Sequence, residues 1–315
     1  MTEISTIPHF IQRAYHSIER MGNQHTRAFS SVVSAVCNET GEKVIIKWTT
    51  KENTGSKAYQ AIKNEAKFNF ETDGLPKDTR LLEDESNCYL IRKFIEGIPF
   101  DAYGKSIPLK RRIQIVQHLV GGLIPLMDEL KQQSIVHADI KPSNLIIQEQ
   151  DGSLNVFLVD FGLAIQRDNL PDRKTLFPLG YAAPELILNQ LQLVDHRTDL
   201  FSIGIVIWRF LAERLPLAHP NPSIFTNLQL AHPLPAHDNI PEAFYSILAR
   251  ACVKPTFRTA PNQMYEEDVA DLLSDAMNNR YDSFDAFAEH VLSYTEKEPW
   301  WKKINISPFG NRERN

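Results

Sequence analysis

Two short stretches carry side chains that could do chemistry together: His137-Ala138-Asp139-Ile140-Lys141-Pro142-Ser143-Asn144, and further on Asp160-Phe161-Gly162. The first sets a carboxylate, an ammonium and a carboxamide within six residues, and the second adds a carboxylate beside a glycine. That equipment suits phosphoryl transfer, in which a protein mostly holds metal ions, phosphates and a nucleophile in line. Asp139 could accept the proton of an incoming hydroxyl, and Lys141 could neutralise charge on the group in transit. Asn144 and Asp160 supply the hard oxygen ligands that Mg²⁺ prefers.

For this to work the two stretches must lie side by side. Leu145-Ile146-Ile147, the turn residues Gln150-Asp151-Gly152-Ser153 and Val156-Phe157-Leu158-Val159 predict a hairpin that returns Asn144 beside Asp160. Upstream, Thr26–Val36 and Val44–Trp48 predict a second hairpin around Asn38–Gly41, with Lys47 near the end of its second strand. Residues 55–70 predict a helix capped by Ser56, with Tyr59, Ile62, Ala66 and Phe70 on one face. Leu81-Leu82 and Cys88–Arg92 predict two more strands. Residues 109–133 predict a long helix whose core face holds Ile113, Val116, Leu119, Val120, Leu123, Leu126 and Met127. Proline-rich text from Leu215 to Pro241 predicts a loop-dominated connection, and residues 264–292 an acidic helical stretch. The paired Trp300 and Trp301 are expected to cap a groove of this protein.

The ordered set resembles the catalytic loop and D-F-G motif of eukaryotic-like (Hanks-type) protein kinases, and Lys141-Pro142-Ser143-Asn144 resembles the serine/threonine branch. Val44-Ile45-Ile46-Lys47 is similar to the V-A-I-K strand, so the resemblance implies that Lys47 holds the phosphates of ATP. Glu65, in the helix that follows, resembles the glutamate that pairs with that lysine. Phe94-Ile95-Glu96-Gly97 resembles the hinge between lobes and puts Arg92, an unusual residue there, at the gatekeeper position. The family's glycine-rich loop is degenerate: its three glycine positions fall on His25, Arg27 and Ser30, with Phe29 at the tip. Either Arg27, Thr26 or Ser30 contacts phosphate through its side chain, or the loop grips ATP weakly. Ala138 replaces the arginine that binds a phosphorylated activation segment, implying activity independent of phosphorylation there. His137 is expected to be a hydrogen-bonded support residue. Ala183-Pro184-Glu185 resembles the A-P-E motif, with Arg258 as the expected partner of Glu185. Asp199-Leu200-Phe201-Ser202-Ile203-Gly204 resembles the motif whose aspartate braces the catalytic loop, and Thr175 is the candidate autophosphorylation acceptor.

The resemblance implies an α+β, two-lobed protein-kinase fold in a compact bacterial-type member: a leader over 1–20, a β-rich N-lobe with one main helix over 21–95, a larger, mainly helical C-lobe over 96–292, and a tail over 293–315. It implies transfer of the ATP γ-phosphoryl group to protein serine or threonine hydroxyls, with Mg²⁺ or Mn²⁺. Two further readings share the residues: a scaffold that keeps the fold without turnover, favoured by the glycine-poor loop, and a small-molecule phosphotransferase, favoured by Ala138. With 315 residues, 43% of them hydrophobic, the chain can bury a sizeable core, and its net charge of -5 argues against nonspecific nucleic-acid binding. Three dispersed cysteines suggest neither disulfides nor zinc. No apolar run approaches a membrane span and no signal-peptide pattern opens the sequence, so the expected location is cytoplasmic, with a secreted effector as the alternative. The oligomeric state is left open.

Overall fold

The computed structural model describes residues 7–21, 31–52, 54–150, 153–171 and 177–295. Arg27, Ser30, Thr175 and the Trp300-Trp301 pair lie outside them.

Helix α1 (His9–Ala14) leads into β1 (Tyr15–Arg20), β2 (Ser31–Cys37) and β3 (Lys43–Thr50); then come helix α2 (Lys57–Glu65), β4 (Arg80–Glu83) and β5 (Asn87–Lys93). The strands form one antiparallel sheet in the order β1-β2-β3-β5-β4. Strand alternation divides its faces. Val44, Ile46 and Trp48 of β3 join Val33, Tyr89, Ile91, Ile11 and Tyr15 in one apolar cluster, so the intervening Lys47 is delivered to the opposite face. There Ile62 of α2 packs on Cys88 and Leu90 of β5. Ser56 caps α2 by accepting the Tyr59 amide at 3.2 Å, as its position predicts. The helix ends at Glu65, short of the expected residue 70. Phe68 and Phe70 leave it to pack around Phe161, and the burial of two aromatic rings outweighs one more helical turn.

The chain leaves the sheet through Gly97, whose φ of +147° and lack of side chain are both needed: a Cβ there would meet Ile146 Cγ2 at 2.6 Å and the Ile147 carbonyl at 2.8 Å. Beyond it lie β6 (Ile98–Pro99), α3 (Phe100–Tyr103), the long α4 (Leu109–Gln132), β7 (Ile135–Val136), the hairpin β8 (Leu145–Gln150) and β9 (Ser153–Leu158), and β10 (Ile165–Gln166). Next come α5 (Pro184–Ile187), α6 (His196–Ala212), α7 (Pro222–Ala231), α8 (Glu242–Ala251), α9 (Glu266–Asn278) and α10 (Phe284–Ser293). The large core joins Val116, Leu119 and Leu123 of α4 to Phe201, Ile205 and Trp208 of α6 and Phe244 and Leu248 of α8. The architecture is α+β, a sheet-rich region followed by a helical one. Among the described residues no helix is long and apolar enough to cross a membrane.

Two expectations are corrected. The proline-rich stretch contains α7: Asn221 accepts the Ser223 and Ile224 amides, and Pro222 occupies the first turn, where no amide is required. The partner of Glu185 is not Arg258, which lies exposed in the loop after α8, but Arg280, between α9 and α10. Its guanidinium donates to both carboxylate oxygens, at 2.7 and 3.0 Å, and both side chains are fully buried. Thr198 adds a third donation, at 2.8 Å. A planar fork satisfies a buried carboxylate in this way, and a surface loop arginine cannot reach it.

Candidate active site

Lys47 emerges from β3 between two carboxylates. Its ammonium donates to Glu65 Oε2 and to Asp160 Oδ1, both at 2.6 Å. Glu65 is placed by the last turn of α2, and its other oxygen accepts from Arg92 of β5 at 2.7 Å. The adjacent Asn64 side chain donates to the carbonyls of Gly162 and Ala164, at 3.2 and 2.8 Å, and so ties α2 to the segment after Asp160. Asp160 adopts a left-handed backbone, φ +73°, a strained conformation for a residue with a side chain. Burial works against its charge, yet Lys47, then Arg92 and Lys141, hold its carboxyl well below the usual carboxylate range.

The second group sits on the loop between β7 and β8. Lys141 donates to both oxygens of Asp139, at 3.0 and 2.7 Å. The Asn144 carboxamide donates to the Asp139 carbonyl at 2.9 Å and to its Oδ2 at 3.0 Å. Burial pushes the Asp139 carboxyl up to about 6, with Lys141 and Asn144 pulling the other way and Asp160 adding to the rise. The hairpin β8–β9 pairs Leu145 with Leu158, and the Val159 amide donates to the Asn144 carbonyl at 3.0 Å. The backbone at Asn144 is thereby locked next to the residue that precedes Asp160.

Support comes from beneath. His137 is fully buried; its Nδ1 accepts the Asp139 amide at 3.2 Å and its Nε2 lies 3.1 Å from the Val159 carbonyl. Burial lowers its pKa to about 4, so the ring is neutral near pH 7, and with the Asp139 amide on Nδ1 its proton sits on Nε2 and is donated to Val159. Ala138 is left-handed, φ +58°, and this strain is held by Asp199 at the start of α6. Its two oxygens accept the His137 amide at 2.7 Å and the Ala138 amide at 3.0 Å. Burial pushes the Asp199 carboxyl up to about 7, against those two donations.

Asn144 and Asp160 fit a magnesium ion by donor type. The Asn144 nitrogen is committed to Asp139, which leaves Oδ1 as the acceptor of that amide, and the Asp160 carboxylate is 42% exposed and charged. Sequence placed Arg92 at the gatekeeper position but missed its bond to Glu65, and it missed Asn64 and Arg280 altogether. A charged residue at the end of an apolar strand was the signal for Arg92, and an arginine between Met277 and Tyr281 was a faint one for Arg280.

Comparison with known proteins agrees with this geometry. The protein kinase domain matches residues 15–283. The chain is 29% identical over 199 residues to the serine/threonine-protein kinase PknJ of Mycobacterium tuberculosis, covering 59% of this chain and 33% of that protein. It is 27% identical over 197 residues to the serine/threonine-protein kinase ATG1c of Arabidopsis thaliana, covering 60% and 26%. It is 31% identical over 162 residues to the serine/threonine-protein kinase pkn2 of Myxococcus xanthus, covering 49% and 19%. The match thus spans a third or less of the length of each of these relatives. The chain belongs to the protein kinase domain family.

Proposed function

We propose that this chain transfers the γ-phosphoryl group of ATP, with Mg²⁺, to serine or threonine hydroxyls of protein substrates. The observation that carries this is the convergence of Lys47, held by Glu65, with Asp160 on one side of the site and of Asp139 with Lys141 and Asn144 on the other. Lys47 binds the nucleotide phosphates, and Asn144 and Asp160 hold the metal. Bound Mg²⁺ would neutralise phosphate charge. Arg27 and Ser30 are the candidate further phosphate contacts.

Asp139 orients the acceptor hydroxyl and takes its proton. A carboxyl that burial lifts to about 6 is a stronger base than an ordinary aspartate, and at pH 7 it is still mostly ionised. Lys141, already on that carboxylate, is placed to offset negative charge on the phosphoryl group as it passes. The Asn64 anchor, made to backbone carbonyls rather than to a phosphate, supports activity without phosphorylation of the activation segment, as does Ala138 in place of the usual arginine.

The test is incubation of purified protein with γ-labelled ATP, Mg²⁺ and generic protein acceptors, followed by mapping of labelled residues. Wild type should label serine or threonine, and Asp139→Asn should lower the rate about 10²- to 10⁴-fold. Undiminished labelling by Asp139→Asn would remove its assigned role, and label found only on small molecules would replace the protein acceptor. Mapping also reports whether Thr175 is an acceptor.

A further inference from the structure

Glu65 divides its oxygens between two cations on the same face of the sheet. Oε2 accepts from Lys47 at 2.6 Å and Oε1 from Arg92 at 2.7 Å. Strand register explains how both reach it: Lys47 lies opposite Leu90 and Ile45 opposite Arg92, so the two cations project from one face, two residues apart along the β3–β5 pair. The Lys47, Glu65 and Arg92 side chains are 9%, 3% and 6% exposed. With Asp160, the group comprises two cations and two carboxylates.

Lys47 alone is a divided anchor for Glu65, because it also bonds Asp160 at 2.6 Å and, in the proposed reaction, must turn to phosphate. A buried glutamate served by that lysine alone would lose much of its compensation when nucleotide enters. Arg92 acts on Asp160 through its charge but bonds Glu65 directly, and that bond is not given up when Lys47 turns to phosphate. Its guanidinium stays charged at any working pH. The helix it reaches is held by polar contacts on several sides, among them Asn64 to the Gly162 and Ala164 carbonyls and Lys63 to Glu83. The apolar contact of α2 with the sheet centres on Ile62, Cys88 and Leu90. On another side α2 borders a cavity of about 590 Å³, lined by Lys57, Ala61, Asn64, Phe68, Gly162 and Ala164 among others. Polar anchors therefore decide where α2 sits.

We propose that Arg92 is a positioning residue: it holds Glu65, and through it α2, in place whatever Lys47 is bound to. Its effect on turnover rests on the kinase reading above; its effect on α2 does not. Arg92→Met keeps length without charge and Arg92→Lys keeps the charge. Arg92→Met should lower kcat at least about tenfold while the KM for ATP changes less than about threefold, since the lost interaction matters most once Lys47 engages phosphate. Arg92→Lys should recover most of the loss. Glu65→Gln added to Arg92→Met should cost much less than it does alone, because the two act as a unit.

Hydrogen exchange of the α2 amides with Mg·ATP bound supplies a readout that needs no turnover. Exchange should rise at least about tenfold in Arg92→Met and stay near wild type in Arg92→Lys. Unchanged kcat and unchanged exchange in Arg92→Met overturn the proposal. Equal impairment of both variants with an equal fall in Tm also overturns it, since that marks a packing role. If wild type binds Mg·ATP yet transfers nothing to protein, the kinase reading fails and the exchange result alone decides for Arg92.

Discussion

His137 and Asp139 stand two residues apart, and burial moves their acidities in opposite directions: the imidazole falls to about 4, the carboxyl rises to about 6. Each shift follows from disfavouring the charged form, and each has a consequence with a definite sign. Histidine 137 takes up its proton more readily unfolded, so its stabilising contribution is complete above about pH 6.5 and is lost as pH falls toward 4. At pH 5 the loss amounts to about 2 kcal/mol. Asp139 and Asp199, both raised, work the other way over an overlapping range. The histidine is therefore best isolated by difference. Between pH 7 and 5, His137→Phe should lose about 2 kcal/mol less unfolding free energy in urea than wild type does. Equal losses in the two proteins would mean that His137 does not titrate as its burial implies.

Among the elements, α6 has the most to hold. Asp195 caps it by accepting the Arg197 amide, and Thr198 closes the reciprocal bond. Its first turn then carries Thr198 toward Glu185 and Asp199 toward the catalytic loop. Most of its surface is apolar and buried, which is the pattern of a helix at the centre of a core. The pair Glu185–Arg280 joins α5 to the turn between α9 and α10. Arg280→Met leaves a fully buried carboxylate without its bidentate partner, and should cost about 3 to 5 kcal/mol. Arg258→Met, on the surface, should stay within about 0.5 kcal/mol. Thermal unfolding of the two variants side by side measures the difference, and a comparable loss from Arg258→Met would contradict the pairing described.

At the scale of the whole molecule, the site belongs to neither region alone. Lys47 and Glu65 come from the sheet-rich part, and Asp139, Lys141, Asn144 and Asp160 from the helical part. Bonds across this divide include Lys47 to Asp160 and Asn64 to Gly162 and Ala164. A ligand gripping both parts should therefore stabilise the chain as a unit. Mg·ATP at a hundred times its Kd should add about 2.7 kcal/mol and raise Tm by several degrees. Asp160→Asn should respond to Mg·ATP no more than to ATP with EDTA. A full magnesium-dependent shift in that variant would take Asp160 out of the metal site.

The reactive side chains and most elements were legible in local sequence, although α7 was read as loop and α2 ends at Glu65. Alternation in Val44–Trp48 selects the face on which Lys47 lies, Ser56 starts α2, and the Leu145–Val159 hairpin returns Asp160 toward Asn144. These follow from near-neighbour rules of period, capping and turn chemistry, whose determinants lie within a few residues. Which guanidinium meets which buried carboxylate came from the packing of the fold. Arg280 rather than Arg258 reaches Glu185 across 95 positions, and Arg92 reaches Glu65 across 27. Both depend on how helices and sheet settle around buried apolar surface, a force without direction that fixes where a charge is buried only after the core has formed. Once there, a buried carboxylate takes the guanidinium within reach, whatever its place in the chain.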